Sequence, residues 1–237
     1  ALRHARENAL RAACSSNLRQ IGIAVAAYAD NENGVIPPFS SGVGDSQWRY
    51  GVTGWWYGSH PYYHPWVTYQ VNYAAGRQYP LNLGKIYTDG YLGNVRALYC
   101  PAGKYADFML ATLLPRWSDP FGLSIRTGYN YNPNVKNTSV AGHGPDWGDL
   151  PAYTRLEDFP EKAPLTTDLI TLWRPVDVAH QSGTPAWNLL YADGHVACRL
   201  SRAAFDYALS TVRASDGALN TGDNWEQLRT LLDKMQE

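Results

Sequence analysis

Charge is scarce in this chain of 237 residues: only 17% of them carry it, and 20 basic side chains face 21 acidic ones for a formal net charge of −1. No basic field exists to hold a phosphate backbone, so nucleic acid is not an expected partner. Cysteine is scarcer still. Cys14, Cys100 and Cys198 are the whole set, and no two have the Cys-x-x-Cys spacing of a zinc ribbon or a thioredoxin motif. An oxidising compartment would allow one disulfide and leave one thiol over. No apolar run reaches the roughly 18 residues of a membrane span, and no secretory signal peptide is legible. Phosphate-cradling loops, dinucleotide fingerprints and the Gly-x-Ser-x-Gly elbow are missing too. The carboxylates Asp45, Asp107, Asp119, Asp158 and Glu161 fall in no acid–base pair or motif. Cys100 precedes Pro101 at what reads as a strand end, without the context of a nucleophile. These absences make a non-enzymatic protein the expectation.

What is present is an apolar, aromatic, loop-rich chain. Hydrophobic residues make up 45%, which suits a globular protein with a sizeable core. Tyr and Trp number 17 and 9 against 5 Phe, a balance that favours half-wet surfaces and interfaces. With 21 Gly and 15 Pro, the composition fits an extracytoplasmic protein.

Residues 2–30 read as one helix, with Leu18, Ile21, Val25 and Tyr28 on a single apolar stripe. Its first half, through Ala13, is polar and is expected to lie against little protein. The run "DNENG" at 30–34 stops the helix, and Pro37-Pro38 prevents its resumption. Residues 39–80 form an aromatic insertion with short strands. Within it Trp55, Trp56, Tyr57, Tyr62, Tyr63 and Trp66 suit a subunit interface, a minor core, or a stacking platform for glycans. Residues 81–100 suggest a short helix and then a strand, "ALYC". Further strands are expected at 128–135, 163–170 and 187–200. In the last, Asp193-Gly194 is the signal for a two-residue type I′ hairpin, with His195 opening the return strand. Helices follow at 201–213 and 223–236, the second with Asp223 as N-cap and Glu226 completing a capping box.

Two residue sets have metal-ligand chemistry. His143, Asp146 and Asp149 lie on a Gly-rich stretch whose oxygens would suit calcium, although the EF-hand pattern is absent; an ordinary Asx-rich turn is the plainer reading. Asp168, His180, Asp193 and His195 have the types for zinc or another divalent ion. Side chains alternate across a hairpin, however, and a turn needs Asp-Gly for backbone reasons alone. The plain expectation is therefore no cofactor.

The stretch "ARENALRAACSSNLRQIGIAVAAYADNENGVIPP" resembles the segment after the membrane helix of type IV pilin-like proteins and type II secretion pseudopilins, above all their processing-associated prepilin group. The likeness is carried by Cys14, Asn17, Leu18, Arg19, Gln20, Ile21, Gly22, Tyr28, Asp30, Asn31, Asn33, Gly34 and Pro37. It continues in "LYCP" at 98–101, "GYN" at 128–130, and a His before "LLYADGHV". Twelve residues separate His180 from Asp193 where that group has about nine, and residues 39–80 are longer than the group leads one to expect.

The resemblance implies an α+β fold: a long N-terminal helix, 1–34, packed on the antiparallel sheet of a single head, 35–237. It implies a Cys14–Cys100 disulfide, both cysteines lying in matching segments. It also implies an apolar segment preceding Ala1, processing by a prepilin peptidase, and anchoring in the inner membrane of a bacterial cell envelope. The partners would be other pilin-like subunits, met through the N-terminal helix. The rivals are an anchored glycan-binding module and, more remotely, a secreted hydrolase.

Overall fold

The computed structural model describes residues 2–37, 72–74, 78–80, 82–104, 106–118, 125–132, 153–170, 180, 184–215 and 230–237. Helix α1 runs Leu2–Asn31, and its expected stripe is its buried face: Cys14, Leu18, Ile21, Val25 and Tyr28 all lie inside. Burying Leu or Val side chains of this kind contributes about 1.5–3 kcal/mol each. Most residues before Ala13 are exposed, and only Glu7, Leu10 and Arg11 are partly covered. The helix ends where Asn33 takes a φ of 55° and the Gly34 N–H donates back to the Ala29 carbonyl at 2.6 Å, a left-handed stop of the Schellman kind. Among the described residues, no helix is long and apolar enough to cross a membrane.

Inside the aromatic insertion, β1 (Asn72–Ala74) pairs with β2 (Gln78–Pro80) as an antiparallel ribbon. Trp55, Trp56, Tyr57, Tyr62, Tyr63 and Trp66 lie outside the described residues, as do His143, Asp146, Asp149, Asp223 and Glu226. Helix α2 (Leu83–Thr88) follows, as expected. The expected "ALYC" strand is instead a 3-10 turn, Val95–Leu98, with extended backbone resuming only at Tyr99. The physical reason is local: the Asn94 side chain accepts the Arg96 N–H at 2.9 Å, which starts a turn that the apolar pattern does not reveal.

The main sheet is antiparallel, in the order β3 (Tyr129–Tyr131), β4 (Pro164–Asp168), β5 (Ala186–Tyr191), β6 (Val196–Leu200). All six residues of β5 are buried. Its near-continuous apolar sequence matches a strand covered on both faces. On one face Leu190 joins Leu18, Ile21 and Val25 of α1 in the larger core. On the other, Trp187, Leu189 and Tyr191 pack with Ala204, Ala208, Leu231, Leu232 and Met235. Ala204 and Ala208 belong to the C-terminal helix Arg202–Ser215, Leu231 and Leu232 to the helical turn at 230–234, and Met235 follows it directly. Ser201 ties the two together: its Oγ accepts the Ala204 N–H at 3.0 Å and donates to the Lys234 carbonyl at 2.7 Å. The chain is thus α+β, with a long helix, a four-stranded antiparallel sheet and C-terminal helices in layers.

The β5–β6 hairpin forms, but its turn is not the expected two-residue type I′. Tyr191 donates its N–H to the His195 carbonyl at 3.0 Å, and Gly194 donates to the Tyr191 carbonyl at 3.0 Å. The loop therefore holds three residues, Ala192, Asp193 and Gly194. Only Gly194, at φ 86°, takes the left-handed conformation. This is the pattern of a turn followed by a G1 bulge, which needs one positive φ where type I′ needs two. His195 closes the loop opposite Tyr191, one residue before β6.

Candidate functional site

The most concentrated chemistry lies between α1 and the sheet. Cys14 stands on the buried stripe of α1, and its disulfide to Cys100 joins Cα atoms 5.1 Å apart across a sequence separation of 86 residues. Two features bring Cys100 there. Asn17, one turn beyond Cys14 on the same helix face, donates from Nδ2 to the Tyr99 carbonyl at 2.9 Å. Gly128 donates its N–H to the Leu98 carbonyl at 2.9 Å, and a β-carbon at this glycine would stand 2.7 Å from the Cys100 nitrogen. Only a residue without a side chain lets the strand pass so close to the cysteine segment.

His180 forms an isolated antiparallel bridge with Ala186 at the start of β5 and is buried. Its Nδ1 lies 3.1 Å from Glu7 Oε1, so in the neutral ring the Nδ1–H donates to this carboxylate. Glu7 in turn receives Arg11 Nε at 3.3 Å. The other ring nitrogen, Nε2, then carries a lone pair. Around it stand Cys100 Sγ at 3.8 Å, Asn188 Nδ2 at 3.4 Å and Asp168 Oδ2 at 3.6 Å. Asp168 ends β4, where Oδ2 accepts the Asn188 backbone N–H at 2.6 Å and the Asn188 amide at 2.9 Å. Its other oxygen, Oδ1, is buried with no hydrogen-bond partner among the described residues.

Burial dominates the electrostatics. It pushes the Asp168 carboxyl up to about 7, against the pull of the Asn188 donors. It pulls His180 below its ordinary value, with Glu7 opposing. Near pH 7 the fold therefore favours a neutral imidazole beside a carboxyl that readily holds a proton. His180 Nε2 and Asp168 Oδ2 thus face each other in a buried site, with the Asn188 amide within reach of both.

The set Asp168, His180, Asp193 and His195 does not converge. Asp168 and His180 meet, but Asp193 and His195 sit at the hairpin tip, beyond the opposite end of β5 from Ala186; a strand of that length spans about 16 Å. At the tip Asp193 Oδ1 accepts the His195 N–H at 3.0 Å and lies 2.6 Å from His195 Nδ1. The His195 ring stacks on Tyr191 with centroids 4.2 Å apart. The backbone donor from His195 holds the exposed Asp193 carboxyl below the usual carboxylate range. These contacts shape a turn. Cys198 is free and exposed.

The sequence reading missed Glu7, Asn188 and the meeting of the disulfide with His180. Glu7 and Cys14 are two helical turns apart and share a face, and Asn188 is the one polar residue in an otherwise apolar strand; both were legible signals.

A long N-terminal helix laid on an antiparallel sheet, and joined by a disulfide to the segment that passes beside Gly128 just before β3, defines an α+β head of the pilin-like type. The family described as "Protein of unknown function (DUF1559)" matches residues 3–152, more than half of the chain, and the chain belongs to it. That family is associated with pilin-like and pseudopilin-type proteins. No curated protein and no solved structure matches the chain. The matched span contains Cys14, Cys100 and Gly128 and stops short of Asp168, His180 and the hairpin.

Proposed function

We propose that this chain is the head of a pseudopilin or minor-pilin-like subunit, a non-enzymatic component of a secretion-linked or surface filament in a bacterial envelope. The observation that carries the reading is the shape of α1. One face of its second half is buried against the head, while its first half is mostly exposed and polar. A helix that docks by one face and leaves the polar face of its first half exposed is the form of a subunit that stacks through its helix. In this reading an apolar segment N-terminal to α1 holds the subunit in the inner membrane before assembly, and helix-on-helix contact joins the copies. The disulfide keeps the head rigidly fixed to the helix.

Cysteine crosslinking in cells tests it. Ala5→Cys and Ala9→Cys lie on the exposed face of the first three turns of α1. The natural full-length gene product carrying both, oxidised in the envelope of the host, should give a ladder of crosslinked multimers in the membrane fraction. Monomer alone, or a product found wholly outside the membrane fraction, would sink the filament reading. A glycan array on the same head, with selective retention of one sugar class, would favour the binding-module alternative.

A further inference from the structure

We propose that Cys14, Cys100, Asp168 and His180 are a metal site whenever the two cysteines are reduced, with zinc the best-matched ion, and that the disulfide is the oxidised, metal-free form of the same site. One sulfur from each cysteine, one imidazole nitrogen and one carboxylate oxygen lie within 4.8 Å of one another, all four residues buried. Two thiolates, one imidazole and one carboxylate make a four-coordinate set of the kinds zinc takes. The set is closed, with no position left for water, so its role would be structural.

The surroundings are those of ligands held in place. Glu7 accepts the Nδ1–H of His180, which directs the Nε2 lone pair into the cluster, as metal-bound histidines generally require. Asn188 holds Asp168 Oδ2, while Oδ1 is buried without a partner among the described residues. Asp168 Oδ2 stands 3.6 Å from His180 Nε2, close enough for one ion to reach both. Two thiolates on one tetrahedral zinc stand about 3.8 Å apart. Side-chain rotation about Cα atoms 5.1 Å apart reaches that separation.

The chemistry balances in both directions. A dithiol reductant gives two electrons and two protons to the Cys14–Cys100 bond, leaving two thiols and becoming a disulfide itself. Zinc then displaces the two thiol protons and binds both sulfurs. In reverse, hydrogen peroxide and two protons take two electrons from the zinc-bound thiolates. The products are the protein disulfide, free zinc ion and two waters.

The test uses the whole 237-residue chain carrying Cys198→Ser, so that the exposed third thiol cannot bind metal. The reduced and the disulfide forms are dialysed anaerobically against Co²⁺, and visible absorption and metal content are read. The reduced form should take up one Co²⁺ per chain, with the intense visible bands of a tetrahedral ion and thiolate charge transfer. Zinc should displace it. The disulfide form should take up none, and peroxide should expel the ion as the disulfide re-forms. His180→Ala should abolish the tetrahedral bands. Glu7→Gln, which keeps shape and removes only the charged acceptor, should weaken binding about 10–100-fold. Circular dichroism follows folding throughout. Three results would overturn the site: a reduced chain that binds no Co²⁺, folded or not; an octahedral spectrum without charge transfer; or His180→Ala binding as tightly as the parent.

Discussion

Replacing Asp168 with Asn should stabilise the disulfide form at alkaline pH, although it deletes a buried charge. The carboxyl has an ordinary value of 3.8 and is pushed to about 7 in the fold by burial. A carboxyl raised in this way is protonated in the folded chain while the unfolded chain has already lost its proton. Folding stability therefore falls as pH rises through the interval between the two values, and levels off above the higher one. A shift of about three units corresponds to about 4 kcal/mol, of which about 3 kcal/mol is lost between about pH 4.5 and pH 8. His180 has the opposite slope: it is pulled below its ordinary 6.5, so stability falls as pH drops below that value. The amide of the Asp168→Asn variant cannot titrate but keeps an oxygen for the two Asn188 donors, and it leaves His180 in place. The difference in unfolding free energy between variant and parent thus isolates the carboxyl. Urea titrations with EDTA present, at about pH 4.5 and about pH 8, should show that difference moving by about 3 kcal/mol in favour of the variant, or roughly 6–12 °C in Tm for a chain of this size. A difference that stays flat with pH would show that Asp168 is ionised in the fold, paired with a protonated His180, and would refute the reasoning.

Four further outcomes are expected. Gly194→Ala should cost about 1 kcal/mol or more, because Ala resists the left-handed φ of 86°, while Asp193→Asn should melt with the parent, since an amide oxygen serves the His195 N–H equally well. Gly128→Ala should cost about 1–3 kcal/mol by forcing β3 away from the Cys100 backbone, a loss that urea titration would register. Replacing Cys14 and Cys100 together with Ser should cost about 4–5 kcal/mol under metal-free conditions, from the loop of 86 residues that the bridge closes; a loss under about 1 kcal/mol would contradict the loop argument. Native, unreduced protein should take one thiol label per chain, and peptide mapping should place it on Cys198 and recover Cys14 joined to Cys100.

The sequence alone determined the periodic elements. A stripe at Leu18, Ile21, Val25 and Tyr28 can only be a buried helix face, and it is. The segments at 163–170 and 187–200 read as strands and contain β4, most of β5 and β6, and Asp-Gly places the turn between β5 and β6. The resemblance paired Cys14 with Cys100 correctly, because both segments carry its motifs. Local hydrogen bonding then overrode pattern in two places. Asn94 drew Ala97 and Leu98 into a 3-10 turn, and the hairpin took a three-residue loop, because both are set by short-range hydrogen bonds that a hydrophobic pattern does not encode. The site itself was decided by tertiary structure. Glu7 and His180 stand 173 residues apart, and Cys14, Asp168 and Asn188 come from three different elements. Their meeting depends on how α1 crosses the sheet and on which face of β5 each residue takes. Asp193 and His195 share those residue types but sit at the far end of the same strand, where the turn exposes them to water. Spacing along the chain sets the period of each element, and only packing between elements sets which side chains converge.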